Sequence, residues 1–142
     1  LNSQFSLVKG YDRSLNEPLI SMPPVNISNE IVYQNPEFNN IRLSLQSAYN
    51  FKQNDYPDTN FEVFMPETQT WEMVDVSSTP DAYHLLNFNS SIDININKKS
   101  KLTVGLRVTN VLNTSYRNYL NRLRNYADDL GRNFLFNLKI NY

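Results

Sequence analysis

His84 is the only histidine of the chain and lies in the run Ala82-Tyr83-His84-Leu85, where a long loop leads into a strand. An imidazole can ligate iron, either free or in haem, but it would need partner ligands that this sequence does not place beside it. The alternative interpretation is that His84 packs among aromatic side chains at the end of a strand. Both interpretations stay open from sequence alone.

A second group of candidates lies between positions 115 and 126, where Arg117, Arg122 and Arg124 stand among apolar residues at helical spacing. Arginine binds anionic oxygens through paired hydrogen bonds, so these side chains could form a lip that captures an anionic ferric chelate. The alternative is an amphipathic turn of a surface loop, in which the arginines face water.

Two neighbouring carboxylates, Asp128 and Asp129, stand close to Arg132. They could bind a cationic or metal-bearing ligand, or they could form a solvated turn or a salt bridge at the start of a strand. As sequence neighbours they are not held on the two walls of a cleft, which acid–base catalysis by paired carboxylates requires. The chain also lacks nucleophile-elbow, HExxH and glycine-rich phosphate-loop motifs, and has only 3 glycines. We therefore predict that it is not an enzyme and holds no cofactor or metal of its own.

The composition of the chain limits the classes of partner that it could bind. The 142 residues carry a formal net charge of -1, which offers no basic excess for binding nucleic acid. Mean hydropathy is -0.52, and no run reaches the ~20 apolar residues of a membrane-spanning helix. There are no cysteines to form disulfides. The first residues already alternate and show no signal peptide, so we expect a segment that begins inside a fold.

The elements that must position these residues are strands, because apolar and polar residues alternate with period two. In residues 101–110, Leu102, Val104 and Leu106 oppose Thr103, Gly105 and Arg107. The same pattern predicts six strands, at about residues 2–11, 25–34, 41–52, 84–97, 101–110 and 133–142. Four of them reach the ~9 to 11 residues that a tilted strand needs to cross a bilayer. Aromatic residues at their ends and aliphatic ones in their middles are typical of a membrane barrel wall.

The connections between the predicted strands alternate between short and long. Residues 35–40 and 97–101 form short polar turns, whereas 12–24, 53–82 and 111–132 are long. Outer-membrane barrels have short periplasmic turns and long extracellular loops. The pattern therefore predicts an all-β, transmembrane antiparallel barrel segment, with Asp93, Asn95, Arg107 and Lys139 facing the lumen. A soluble β-sandwich that binds carbohydrate through its loops also has alternating strands and stays as the alternative.

Three stretches carry a resemblance to a known family. Residues 102–117 read LTVGLRVTNVLNTSYR, residues 131–134 read GRNF at the start of the last strand, and residues 17–24 read EPLISMPP. In this order they resemble the penultimate strand, the last strand and an earlier connection of TonB-dependent outer-membrane receptors. The resemblance covers the whole chain. Tyr142 departs from it, because many members of the family end in phenylalanine.

The resemblance implies that residues 1–142 are the C-terminal six strands of a barrel of about 22 strands with a plugged lumen. It implies a receptor in the bacterial outer membrane that imports a scarce nutrient, with a ferric siderophore or another metal or haem complex favoured. The implied partners are outer-membrane lipid, the rest of the barrel and its plug, a TonB-type energy-coupling protein reached through the N-terminal part that this chain lacks, and the barrel-assembly machinery. The implied assembly signal is the last strand, with Phe134, Phe136, Leu138, Ile140 and Tyr142 on one face.

Overall fold

A computed structural model describes residues 1–57, 60–74, 79–97 and 100–142. The described residues form antiparallel β-structure without a helix. The strands are β1 (Asn2–Ser6), β2 (Tyr11–Asp12), β3 (Glu17–Pro18), β4 (Asn26–Asn35), β5 (Ile41–Asn50), β6 (Phe61–Met65), β7 (Thr70–Val74), β8 (Tyr83–Asn95), β9 (Lys101–Thr109) and β10 (Asn133–Asn141). Within these ranges, no helix is long and apolar enough to cross a membrane.

Six of the strands form one sheet in the order β1-β4-β5-β8-β9-β10. Each of these six strands pairs antiparallel with the next of the six along the chain. Short connections join β4 to β5 and β8 to β9, and long connections join the other pairs. The remaining strands form two small hairpins, β2–β3 and β6–β7, inside the long connections. The sheet is open among the described residues, with β1 and β10 as its edges. The described residues therefore form no closed barrel.

The first strand is shorter than its alternation predicts. It ends at Ser6, whereas the pattern extends to residue 11. Tyr11 pairs instead with Pro18, and the backbone oxygen of Gly10 accepts a hydrogen bond from Leu19 N, so the chain has already turned into the β2–β3 hairpin. The carboxylate of Asp12 closes that hairpin by accepting from the next backbone amides.

Asparagines shape the turn between β4 and β5. Asn35 accepts backbone hydrogen bonds from Glu37 and Phe38, and Asn39 and Asn40 adopt left-handed backbone angles, with φ of 50° and 49°. Asparagine tolerates this conformation better than other residues with a side chain. This turn and the described ends of the β8–β9 connection lie at one end of the sheet, and the described parts of the three long connections lie at the other. Lys98 and Lys99 fall outside the described residues.

The register places one polar and one apolar face on the sheet. Across the apolar face run rows such as Phe136, Leu106, Ser90, Leu43 and Tyr33. Because side chains alternate between faces, a slip of one residue in any pairing would mix the two sets. The apolar face includes Phe134, Phe136, Leu138 and Ile140 of β10, and the polar face includes Asp93, Asn95, Arg107 and Lys139.

Nothing among the described residues forms a second layer over the apolar face. Ile31, Phe136 and Leu138 are 63%, 72% and 74% exposed. In the described part of the chain the buried apolar residues are Val108 and Tyr119. A soluble domain of this size buries most of its large apolar side chains. Here the described residues leave the apolar face of the sheet uncovered.

Candidate functional site

The polar face is a connected hydrogen-bond network. Asn89 donates to Ser44 Oγ at 3.2 Å and accepts from Arg107 Nε at 2.8 Å, which joins β5, β8 and β9. One row further towards the long loops, Asn87 donates to Gln46 at 3.1 Å and Gln46 donates to Ser28 at 3.0 Å. These links join polar side chains across neighbouring strands into one network.

Asp93 anchors the end of this face that carries the short turns. Its carboxylate accepts hydrogen bonds from Asn40 and Thr103, each at 2.7 Å, and lies 2.6 Å from Lys101 Nζ. The carboxylate thus connects the turn before β5 to β9. Asp93 is one of the residues expected to face a lumen, and its polar contacts are already satisfied within this chain. Asn95 follows on the same face beside Lys101.

A concavity of about 420 Å³ lies in the middle of the polar face. Side chains or backbone from β4, β5, β8, β9 and β10 all line it. Residues from five adjacent strands enclose a volume only if the sheet curves, so the polar face is the concave side. The charged residues around the concavity are Glu30, Arg42, Arg107 and Lys139. Of these, Arg107 and Lys139 were candidates from sequence, whereas Glu30 and Arg42 were not.

The loop between β9 and β10 begins with a buried asparagine. Asn110 is 2% exposed and has a left-handed backbone with φ of 51°. Its backbone N–H donates a hydrogen bond of 3.0 Å to Asn87 Oδ1. Its side chain donates to Thr114 O at 2.8 Å and accepts from Thr114 N at 2.8 Å. Asn110 therefore fixes how the chain leaves the sheet.

Arg117 and Asp128 form an ion pair inside this loop. The Arg117 Nε–Asp128 Oδ1 distance is 2.7 Å, and the Arg117 guanidinium also donates to Arg124 O at 3.0 Å. The Ser115 hydroxyl donates to the other oxygen of Asp128. These donors hold the pKa of Asp128 below its usual value. The pair ties the two sides of the loop together.

Asp129 and Arg124 are bound within the loop as well. Asp129 accepts from Asn118 N at 2.6 Å and from Asn121 Nδ2 at 2.8 Å. The Arg124 guanidinium lies 4.1 Å from the centre of the Tyr119 ring and donates to the Tyr119 carbonyl. Arg122 is exposed and makes no side-chain bond with the described residues. Four of the six loop and strand-start candidates thus lie in one loop and contact one another or its backbone; they are Arg117, Arg124, Asp128 and Asp129.

Residues 115–126, whose apolar residues have helical spacing, form a series of turns and no helix. Asn118 and Asn121 accept bonds from the backbone amides of Leu120 and Leu123, each two residues on. Such side-chain bonds compete with helical ones and end a helix before it forms. The spacing of the apolar residues therefore reflects packing of consecutive turns.

A second cavity, of about 300 Å³, lies between this loop and residues 79–83. The rings of Tyr83 and Tyr116 stack over one another at 4.6 Å, and Asp81, Arg117 and Asp128 line the same space. Burial, with a smaller effect from the nearby Asp129 carboxylate, raises the pKa of Tyr116.

His84 lies apart from these groups. Its Nε2 atom is 2.8 Å from Ser47 Oγ, and its ring centre is 6.3 Å from that of Tyr49, on the apolar face of the sheet. Tyr83, its neighbour in β8, points to the polar face, so His84 points away from the loop cavity. In the part of the chain that the structure describes, no three His, Cys, Asp or Glu side chains are placed to hold a metal ion.

Comparisons of the chain with protein-family models, curated proteins and solved structures return no match.

Proposed function

We propose that the chain is a segment of an outer-membrane β-barrel wall, and that it supplies the C-terminal six strands of a TonB-dependent receptor that imports a ferric siderophore or another metal or haem complex. The observation that carries the proposal is the sheet with one open apolar face and one ordered, concave polar face. A barrel wall needs this arrangement, because lipid contacts one side and a polar lumen the other.

Strand length supports the membrane assignment. β4 and β5 have 10 residues, β9 and β10 have 9, and β8 has 13. A tilted strand crosses the hydrocarbon core with about 9 to 11 residues, whereas strands of soluble proteins have about 5 to 6. The open apolar face argues against the alternative of a soluble β-sandwich, whose inner face would be covered by a second sheet.

The two unpaired edges require partners in this proposal. In lipid, each exposed backbone N–H or carbonyl group costs several kcal/mol, so β1 and β10 must pair with further strands. The rest of the barrel, the plug and the contact with a TonB-type protein lie in parts of the receptor that this chain lacks. Insertion would depend on the barrel-assembly machinery.

The long connections would face the outside of the cell and the short turns the periplasm. The Arg117–Asp128 pair and the turns around it would then form a stiff lid segment, and the cavity beside Tyr83 and Tyr116 would be the part of the loop surface open to a nutrient. Loops on a rigid scaffold commonly carry recognition.

Single-cysteine labelling tests the membrane assignment, because the chain has no cysteine of its own. Leu138→Cys and Asn137→Cys place the thiol on opposite faces of the same strand, at adjacent positions. In isolated outer membranes we expect a lipid-soluble maleimide to label position 138 and a water-soluble one to label position 137. Equal labelling of both positions by the water-soluble reagent would contradict a barrel wall. The transport role is tested separately, by growth on the scarce nutrient after the loop 111–132 is shortened.

A further inference from the structure

Thr79 carries a buried hydroxyl group without a hydrogen-bond partner. The residue is 8% exposed, and in the part of the chain that the structure describes its Oγ1 is the one buried side-chain nitrogen or oxygen that bonds to nothing. Buried hydroxyl groups normally have a partner, because leaving one unpaired costs free energy. Thr79 also lines the cavity between residues 79–83 and the loop 111–132. A ligand in this cavity would supply the missing partner.

The cavity has the size of one small ring. Its volume is about 300 Å³, and because a water molecule occupies about 30 Å³ in the liquid, one ordered water fills only a small part of it. Ligand cavities in proteins extend from about 300 to 1,000 Å³. This cavity lies at the lower end of that range, which suits one six-membered ring with its substituents and not a chelate of several rings around an iron atom.

The lining combines apolar surface with hydrogen-bonding groups. The rings of Tyr83 and Tyr116 are 4.6 Å apart and inclined by 34°, so each fixes the position of the other. Pro80 and Ala82 add apolar surface beside them, and the hydroxyl-bearing residue Thr79 is part of the same lining. A ligand that has an apolar face and a polar edge matches such a surface.

The carboxylates that line the cavity each have a cation beside them. Asp81 Oδ1 lies 3.1 Å from Lys52 Nζ, and Asp128 Oδ1 lies 2.7 Å from Arg117 Nε. An ionic ligand would have to compete with one of these ion pairs. A neutral ligand would not, since it can hydrogen-bond to the remaining lone pairs of the carboxylates and leave both pairs intact. The charges therefore favour a neutral ligand.

We propose that this cavity binds one neutral sugar ring. A sugar hydroxyl both donates and accepts hydrogen bonds, so it matches the Thr79 hydroxyl, which lacks a partner of either kind. The apolar C–H face of the ring would lie against the Tyr83–Tyr116 pair, and further hydroxyl groups would donate to Asp81 and Asp128. The proposal goes beyond the proposed function, because a neutral sugar is a different class of ligand from a ferric complex. It depends on neither a membrane nor transport.

The probes are the methyl glycosides of glucose, galactose, mannose and N-acetylglucosamine, each added to the protein in micelles of a detergent without a sugar headgroup. Saturation-transfer NMR measures their binding. We expect at least one glycoside to bind, and Thr79→Val to weaken its binding about five- to tenfold, because the hydrogen bonds of the hydroxyl are lost. Thr79→Ser keeps the hydroxyl and should bind within about twofold of the native protein.

Two tyrosine variants test the contact with the ring. Tyr116→Leu removes one side of the ring pair and should weaken binding at least about fivefold. Tyr126→Leu is the matched control, because it removes a tyrosine from the same loop that does not line this cavity, and it should bind like the native protein. Equal binding by the two variants would overturn the placement of the sugar beside Tyr116.

The protein without sugar distinguishes a ligand site from a site for a structural water. Thr79→Val replaces an unpaired hydroxyl with a methyl group of similar shape, so it should keep or raise the thermal unfolding midpoint. A lowered midpoint would show that a bound water already satisfies the hydroxyl, and would overturn the proposal.

The proposal is also overturned if none of the glycosides binds, or if Thr79→Val binds them like the native protein. Tighter binding of citrate or tetramethylammonium than of every glycoside would overturn it by indicating an anion or a cation site. Equally tight binding of catechol would overturn it by indicating a site for aromatic rings in general. None of these failures changes the cysteine-labelling result for the barrel wall.

Discussion

The side-chain oxygen of Asn113 accepts a hydrogen bond of 2.9 Å from the backbone N–H of Arg132, 19 residues further along the chain. Asn113 has a left-handed backbone with φ of 55°, and a Cβ atom on Gly131 would lie 2.9 Å from the same oxygen. The start of the long loop thus touches its end through one asparagine and one glycine. These two residues belong to the two stretches, 102–117 and 131–134, that carry the family resemblance.

Gly131→Ala should loosen the loop 111–132, because its methyl group would push the Asn113 side chain away and break the bond to Arg132. A lost bond of this kind costs about 1 kcal/mol, which corresponds to roughly a fivefold increase in the open form. Trypsin cleavage at the loop arginines should accelerate by about that factor. Gly105→Ala is the matched control, since its Cβ contacts begin at 3.6 Å, and it should leave the cleavage rate unchanged.

Acid should open the same loop only at low pH. The bonds from Ser115 and Arg117 lower the pKa of Asp128 below its usual 3.8. Because the open loop then takes up a proton more readily than the closed one, the stabilisation is complete above that value and is lost as the pH falls through the lowered pKa. Hydrogen exchange of the loop amides, compared with Asp128→Asn at each pH, measures this. The variant should be less protected at neutral pH and should show no acid-dependent loss. An equal loss in both chains would assign the effect to another group.

Adjacent positions of β10 should respond oppositely to an added charge. Leu138→Arg places a cation on the apolar face beside Val104 and should cost about 2 to 4 kcal/mol if that face contacts lipid at mid-bilayer. Asn137→Arg places the same cation on the polar face beside Gly105, where water is available, and should cost far less. The folded fraction in outer membranes, measured by heat-modifiable gel mobility, compares them. Equal folded fractions would contradict the assignment of the two faces.

The strands and their faces could be predicted from the sequence because both depend on a local property, the alternation of side chains. Residues 101–110 and 133–142 show it without interruption and form β9 and β10 at those positions. The end of β1 could not be predicted, because the β2–β3 hairpin depends on a contact between Tyr11 and Pro18 in a stretch with little pattern.

The site was harder to predict because it depends on curvature and long-range contacts. Arg42 and Gly105 could be assigned to the polar face, but only the curvature of the sheet brings them to one concavity with Lys139. Sequence does not reveal that Arg117 and Asn118 contact the loop carboxylates, because each contact joins residues 11 positions apart. The sequence signal that could have predicted the concavity is a set of three cations on one face of the sheet with a glycine between them.

The apolar face of β10 continues by alternation from Phe134 to Ile140 and on to Tyr142, which lies beyond the strand and is fully exposed. A phenol ring can place its apolar body among acyl chains and its hydroxyl in water, so Tyr142 suits a membrane interface. In the proposed barrel it would also follow directly on the edge strand β10, which would have to pair with a further strand.

Deleting Tyr142, or replacing it with Asp, should therefore reduce insertion sharply and leave the precursor in the periplasm, whereas Tyr142→Phe should be nearly silent because the ring is kept. Gln4→Ala on the polar face of β1, at the opposite edge of the sheet, is a control that should insert normally. The amount of protein in the outer-membrane fraction, relative to the periplasmic fraction, is the measurement. Normal insertion of the deletion variant would show that the terminal aromatic residue is not an assembly signal, and would remove the main reason for placing β10 at the seam of a barrel.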